Sequence, residues 1–364
     1  MTTLQIEAVR GLDSASLADR AEWLALWESW PARDIMAHPD YLRLFARPGD
    51  RVVAASMRTA QGGVLYPLIM RPIASEPWAG PQETRCDLTG PYGHSGPYAW
   101  RTTADDAARF WAGFEEWAAR NGAVASFAKL ALFPEHLLPL SGEVIQVGLN
   151  VVRRLDLPEA DLLKDMKPKV GQNVRRARRN GVTVEFDEDA RHLDEFIAIY
   201  TETMDRRKAD RIFYWSREFF EALVRTLKGH CFLAHAIANG RIVSSEIILL
   251  SGETAYFFLG GTTAEALNYA ANEMLKMEVL LRCRSLGKKA LILGGGVGTQ
   301  PPSADGLLQY KLSIAPQGAV PFKIIRMTHD ASACADLVES RRSWELGRGR
   351  IWAPVGKFFP AYRS

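Results

Sequence analysis

The stretch from Thr254 to Lys311 most constrains what this chain can fold into, because strand-like and helix-like apolar spacing alternate within it. Ala255-Tyr256-Phe257-Phe258-Leu259 is a strand-like run that stops at Gly260-Gly261. A turn-rich loop follows, Thr262 to Asn272, with Tyr269 in it. Glu273 to Leu286 then sets Leu275, Val279, Leu280 and Cys283 at helical spacing, and Gly287 is a natural stop. Ala290-Leu291-Ile292-Leu293 reads as a short buried strand broken by Gly294-Gly295-Gly296. The polar loop Thr299-Gln300-Pro301-Pro302-Ser303 leads on to Asp305-Gly306-Leu307-Leu308-Gln309-Tyr310-Lys311. A lysine after such a loop, beside glycines that bare the backbone, can meet developing negative charge. The same lysine on a strand edge is simply solvated, and spacing alone favours that reading, since exposed lysines are the norm.

Bulk properties narrow the class without choosing a partner. At 364 residues and 47% hydrophobic, the chain is large enough for two cores. A net charge of +3 diagnoses nothing by itself, so local clusters of basic residues matter more. Cys86, Cys231, Cys283 and Cys334 are scattered, with no Cys-x-x-Cys pair to suggest a metal or redox site. Buried free thiols and a reducing compartment follow as the expectation. Met1 to Ala8 lacks the order of a signal peptide, and no apolar run reaches the roughly 20 residues needed to span a bilayer. A soluble, cytoplasmic protein without stable membrane insertion is expected.

In the first half, Leu17 to Trp30 has helical spacing and ends at Pro31. A turn and short helix are expected from Ile35 to Phe45. Arg51–Ser56 and Gly63–Arg71 read as paired strands. Pro72 to Gly96 reads as a long ordered loop. Within it, Asp87 to Tyr98 interleaves glycines with aromatic rings, which suits either a pocket wall or a packed turn. Ala104 to Asn121 is a helix, Val124 to Leu132 a strand, and Val151 to Leu157 a strand that closes the first unit.

The second half opens on the most basic segment, Asp161 to Gly181. Val170, Val174 and Ala177 form its buried stripe. Lys169, Arg175, Arg176, Arg178 and Arg179 are left to face a polyanion or plain solvent. Helices follow at Asp194–Lys208 and Trp215–Leu227. Phe232–Ile237 and Ile242–Leu250 form a hairpin across Asn239-Gly240. Val320–Arg326 is a further strand and Ser332–Glu345 a helix, and the aromatic tail from Trp352 is expected to pack back on the body. The expected division is 1–157, 158–325 and a C-terminal segment 326–364 that packs on the first domain. The halves share an order of helices, hairpin and strand-helix-strand, the pattern of two mixed α/β units in tandem.

These residues resemble the Fem family of peptidoglycan branching transferases and its relatives with tandem acetyltransferase (GNAT-like) folds. The resemblance covers most of the second half. The basic helix Lys169–Val182 is similar to the family's opening of its second unit. Tyr200–Arg207 is similar to the element where a family arginine binds substrate phosphate, with Arg207 the best match. Gly260 to Lys311 is similar to the active-site segment, including Tyr269, and Lys311 falls where the family places a lysine implicated in the transition state. Arg43, after Tyr41, matches another phosphate-binding position, and Gly90-Pro91-Tyr92-Gly93 is more like the wider group. The long helical hairpin of some members is absent.

The resemblance implies transfer of an aminoacyl group from aminoacyl-tRNA to an amine. The acceptor would be a peptidoglycan precursor or a peptide-like secondary metabolite, held by Arg207, Arg43, Tyr269 and Tyr92. Lys169, Arg175, Arg176, Arg178 and Arg179 would hold the tRNA. The charged ester is already activated, so no metal and no cofactor are expected. Asp305 and Glu278 are available to deprotonate the amine, with a helix-surface or loop-capping carboxylate the favoured reading of each. Two rivals remain open at this point: acyl-coenzyme A transfer, and a non-catalytic RNA-binding protein. The loop Thr262–Asn272 has no glycine and carries Glu265, which disfavours pyrophosphate there.

Overall fold

The structure is a computed structural model that describes residues 8–298, 301–356 and 358–364. The N-terminal residues before Ala8, and Thr299 and Gln300 of the expected polar loop, lie outside the described residues. The chain divides into two compact units, Met1–Val147 with Phe322–Ser364, and Gly148–Pro321.

The first unit runs β1 (Arg10–Asp13), α1 (Leu17–Ser29), α2 (Pro39–Arg43), β2 (Arg51–Arg58), β3 (Gly63–Pro72), β4 (Cys86–Thr89), β5 (Tyr98–Trp100), α3 (Ala104–Arg120) and β6 (Ala123–Lys129). Strands β1, β2, β3 and β4 pair in sequence, antiparallel, and β5 also pairs with β3. β4 runs parallel to β6. Helix α3 starts in a reciprocal cap between Thr103 and Asp106 and buries Phe110, Trp111, Phe114 and Trp117 on the β2–β3 side chains. Strand β4 lies inside what the sequence presents as a loop, 72–96. Four residues among prolines and glycines carry too little local pattern, and pairing with β3 and β6 makes them a strand.

β7 (Glu143–Arg154) crosses the boundary. In the second unit follow α4 (Glu159–Lys164), α5 (Pro168–Arg179), β8 (Thr183–Asp187), α6 (Leu193–Arg207), α7 (Arg217–Thr226), β9 (Cys231–Ala238), β10 (Arg241–Leu250), β11 (Thr254–Thr262), α8 (Ala266–Tyr269), α9 (Ala271–Ser285), β12 (Ala290–Gly295) and α10 (Gly306–Ile314). The sheet order is β7-β12-β11-β10-β9-β8, with β11 and β12 parallel and the other pairs antiparallel. The β9–β10 hairpin turns on Asn239 and Gly240, both at positive φ. Val170, Val174 and Ala177 of α5 share one core with Leu275, Val279, Leu280 and Cys283 of α9. Helix α6 covers the other face: a Cβ at Gly261 would meet Ile199 O at 2.7 Å, and Thr203 Oγ1 donates to Thr262 O.

β13 (Ala319–Thr328) crosses back, and α11 (Ala331–Leu346) follows. Ala333, Leu337 and Tyr362 pack with Ile73, Trp78 and Val124 in the first unit. The division therefore falls at 147/148 and 321/322 rather than at 157/158 and 325/326. Asn150–Arg154 of β7 pair with β12, so this strand serves the second unit's sheet instead of closing the first. Ile324–Thr328 of β13 pair with β6 of the first unit. Each strand pairs across from its sequence neighbours, which local spacing does not record.

Candidate active site

Lys311 sits on helix α10, not on a strand edge. Asp305 is the N-cap: its side chain accepts from the backbone N–H of Leu307 and Leu308 at 3.1 and 3.0 Å, and also from Gly298 N. Burial pushes the Asp305 pKa up, but those N–H donors outweigh it and hold the carboxyl below its ordinary range. One turn and a half further on, Lys311 points inward, 8% exposed, and its Nζ donates to Gly295 O at 2.6 Å.

Two strand irregularities make room for it. The register of β11 against β12 ends at Tyr256↔Ile292, although β11 continues to Thr262 and β12 to Gly295. Just past that point each strand has a register shift: Phe258 is the extra residue opposite Ile247/Ile248, and Leu293 the extra residue opposite Val151/Val152. The first bulge inverts the alternation, so Phe257 and Gly260 share a face, where strict period 2 would separate them. A Cβ at Gly260 would come within 2.8 Å of the Phe257 ring and 3.1 Å of Glu246 Cγ. After the second bulge, Gly294 takes φ +85, and a Cβ there would stand 3.0 Å from Lys311 Nζ.

The surroundings of Lys311 contain a second buried cation. Lys276 of α9, 4% exposed, donates to Glu246 Oε2 of β10 at 2.7 Å. Its Nζ lies 3.8 Å from the Phe257 ring centroid; that of Lys311 lies 5.8 Å from the same centroid. Burial lowers the pKa of Lys276, opposed by Glu246. Burial and then the charge of Lys276 bring Lys311 down to about 7, with Asp305 and Glu246 opposing. Amine and ammonium forms of Lys311 therefore coexist at neutral pH. Among the described residues, no carboxylate lies within ion-pair distance of its Nζ. Around the three buried groups, Phe257, Asn272, Gly294, Gly295 and Tyr310 are half-buried, which puts the cluster just beneath the surface. Asn272 Nδ2 donates to Tyr310 Oη at 2.6 Å. Burial, then Glu246 and Glu273, hold the Tyr310 phenol protonated.

The start of α9 is already supplied with an anion. Glu273 lies in its first turn and accepts from Asn173 Nδ2 of α5 at 2.8 Å. The preceding segment, expected as a turn-rich loop, contains the short helix α8. Its Leu267 and Asn268 carbonyls both accept from Arg176 at 2.8 Å.

The other residues singled out from the sequence divide between the units. On α5, Arg176 is engaged with α8 and Arg178 pairs with Glu278 at 3.5 Å, while Lys169, Arg175 and Arg179 are exposed. Tyr269 Oη accepts from Asn239 Nδ2 and donates to Glu265. Arg207 is exposed at the end of α6. In the first unit, Arg43 donates to Ser14 O and Oγ. Tyr92 stacks on Phe45, with Lys129 Nζ 5.8 Å from its ring centroid. Glu246, Lys276 and Phe257 escaped the sequence reading. A signal was present: Glu246 interrupts the apolar strand 242–250, and Lys276 lies between Leu275 and Met277 on a helix with buried neighbours.

Residues 164–311 match the family model described as an acetyltransferase (GNAT) domain, a span that ends on Lys311. No curated protein matches the sequence. Among solved structures, the chain is similar to FemX, with 14% identity and a TM-score of 0.62, over 84% of this chain and 95% of that one. It is also similar to the C-terminal domain of a putative lysylphosphatidylglycerol synthetase from Agrobacterium fabrum (15% identity, TM-score 0.52, 88% of this chain and 95% of that one). A third is L-PGS from Bacillus licheniformis (13% identity, TM-score 0.51, 85% and 91%). The fold is thus a FemX-like, GNAT-type α/β fold. The FemX likeness covers more of the chain than either unit alone. No helix among the described residues is long and apolar enough to cross a membrane.

Proposed function

We propose that this protein is an aminoacyltransferase that moves an aminoacyl group from aminoacyl-tRNA to an amine on a small or peptidyl acceptor, forming an amide. The carrying observation is Lys311, buried where β11 and β12 part, at the end of the span that matches the GNAT model. Attack of an amine on the ester needs alignment, a place for the proton and a counter to the oxyanion. Lys311 can serve the last as ammonium or the second as amine. The similarity in fold to FemX and to a putative lysylphosphatidylglycerol synthetase supports an aminoacyl donor. Lys169, Arg175 and Arg179 are the residues of α5 open to tRNA phosphates, and Arg207 is the arginine open to an acceptor anion.

The runner-up donor, acyl-coenzyme A, draws its support from the GNAT description itself. Against it, the helix start that would receive a diphosphate carries Glu273, and the segment leading into it carries a second carboxylate, Glu265. The deciding experiment incubates the protein and a panel of amines with a mixed charged-tRNA pool, with and without ribonuclease, and in parallel with acyl-coenzyme A donors. Ribonuclease-sensitive amide formation is expected; amide formed only from acyl-coenzyme A would replace this reading.

A further inference from the structure

We propose that Lys276, held by Glu246 and seated on the same Phe257 ring as Lys311, is a positioning residue that keeps Lys311 in its amine form to accept the proton of the attacking amine. The inference rests on the aminoacyl-transfer reading and names the group that takes the proton.

Its basis is a mismatch of charge. Three buried ionisable side chains converge on the Phe257 ring: Glu246 from β10, Lys276 from α9 and Lys311 from α10. The one carboxylate is 2.7 Å from Lys276, so Lys276 is compensated and Lys311 is not. Asp305, the carboxylate on the segment leading into α10, is taken up by backbone N–H groups of Leu307, Leu308 and Gly298. Tyr310, beside Lys311 on its own helix, stays a neutral phenol. From β12, Gly295 O accepts from Lys311 Nζ, and a Cβ at Gly294 would stand 3.0 Å from that nitrogen. A second buried ammonium beside a first, with no carboxylate within ion-pair distance of it among the described residues, is disfavoured, and the nearer lysine to Glu246 keeps the charge.

A lysine in amine form within a shallow buried site is a general base matched to neutral pH. The step balances. The acceptor nitrogen bonds to the aminoacyl carbonyl carbon, and its proton passes to Lys311 Nζ. The C–O bond to the terminal ribose of the tRNA then breaks, and that oxygen takes a proton from the new ammonium.

The test follows Lys311 Nζ by NMR of the full-length protein labelled with ¹³C,¹⁵N-lysine, assigned with Lys311→Met, across a pH series. Wild type should titrate near neutrality. Lys276→Met should raise the midpoint by about 1 unit or more, because a neighbouring like charge is lost. If that variant does not fold, the pair Lys276→Gln with Glu246→Gln keeps two neutral hydrogen-bonding partners. It should move the midpoint the same way by less. Single-turnover transfer from preformed aminoacyl-tRNA should show the rising pH limb move with the titration, so activity lost at pH 7 returns at pH 8.5. A structural role alone would give no recovery. A midpoint unmoved in a folded variant overturns the inference whatever the donor. A moved midpoint with an unmoved rate limb overturns the assignment of Lys311 as proton acceptor. A moved midpoint with no transfer from any charged tRNA contradicts the donor reading while supporting the control of Lys311 by Lys276.

Discussion

The two units each bury a cluster of charged side chains, and the clusters differ in balance. In the first unit, Asp87 is fully buried and receives Arg71 at 2.7 Å, Arg363 and the Tyr362 hydroxyl, while Arg363 also pairs with Glu76. Two carboxylates face two guanidiniums, and charge-assisted hydrogen bonds satisfy both signs. In the second unit, one carboxylate, Glu246, faces two lysines. Guanidinium is nearly impossible to deprotonate, so the first cluster can only hold the tail in place. Lysine gives up its proton readily when buried, so the second can do acid–base work.

The comparison is broken most forcefully at Asp87. Asp87→Asn strips Arg71 and Arg363 of a shared anion and should cost about 3–5 kcal/mol of stability, read by urea unfolding. The Lys311 titration should be unchanged; a shift would mean that the two clusters are not independent. The converse variant is Lys311→Met, followed by unfolding from pH 7 to 10. The folded pKa of Lys311, about 7, lies below the ordinary lysine value near 10.4, so in that window the unfolded chain binds more protons. This lysine therefore makes the wild type gain stability as pH rises, by up to about 1.4 kcal/mol per pH unit. Lys311→Met should lose that gain, and equal slopes would show that Lys311 is charged throughout.

Smaller effects sharpen the roles of the exposed cations. Arg207→Ala should raise the acceptor KM about tenfold, as for loss of a charge-assisted hydrogen bond, with tRNA affinity intact. Replacing Lys169, Arg175 and Arg179 with Gln should flatten the log–log salt dependence of tRNA binding by roughly 0.7 to 0.9 per lost contact. Arg176→Gln should instead loosen α8, whose carbonyls it binds.

Much of this fold was legible in the sequence. The Asn239-Gly240 hairpin, the α3 helix and the strand-helix-strand around α9 all carry periodicity or turn chemistry within a few residues. Spacing alone favoured a solvated strand edge for Lys311 and a loop or surface carboxylate for Asp305; the structure buries the first on α10 and makes the second that helix's N-cap. What escaped depends on distant partners. β4 is a strand because of β3 and β6, and β7 and β13 pair across the boundary from where spacing assigns them. The Glu246–Lys276 pair joins residues 30 positions apart. The bulge at Phe258, which turns Phe257 toward both lysines, leaves no mark in a run of apolar residues.

The most direct test of the account is single-turnover aminoacyl transfer by Lys311→Met, with thermal melting to show that it folds. The account predicts a folded protein whose transfer rate is about 100- to 1000-fold below wild type. It also predicts that Lys311→Arg recovers little, because a guanidinium cannot accept the proton. Transfer at a near wild-type rate by folded Lys311→Met would contradict it.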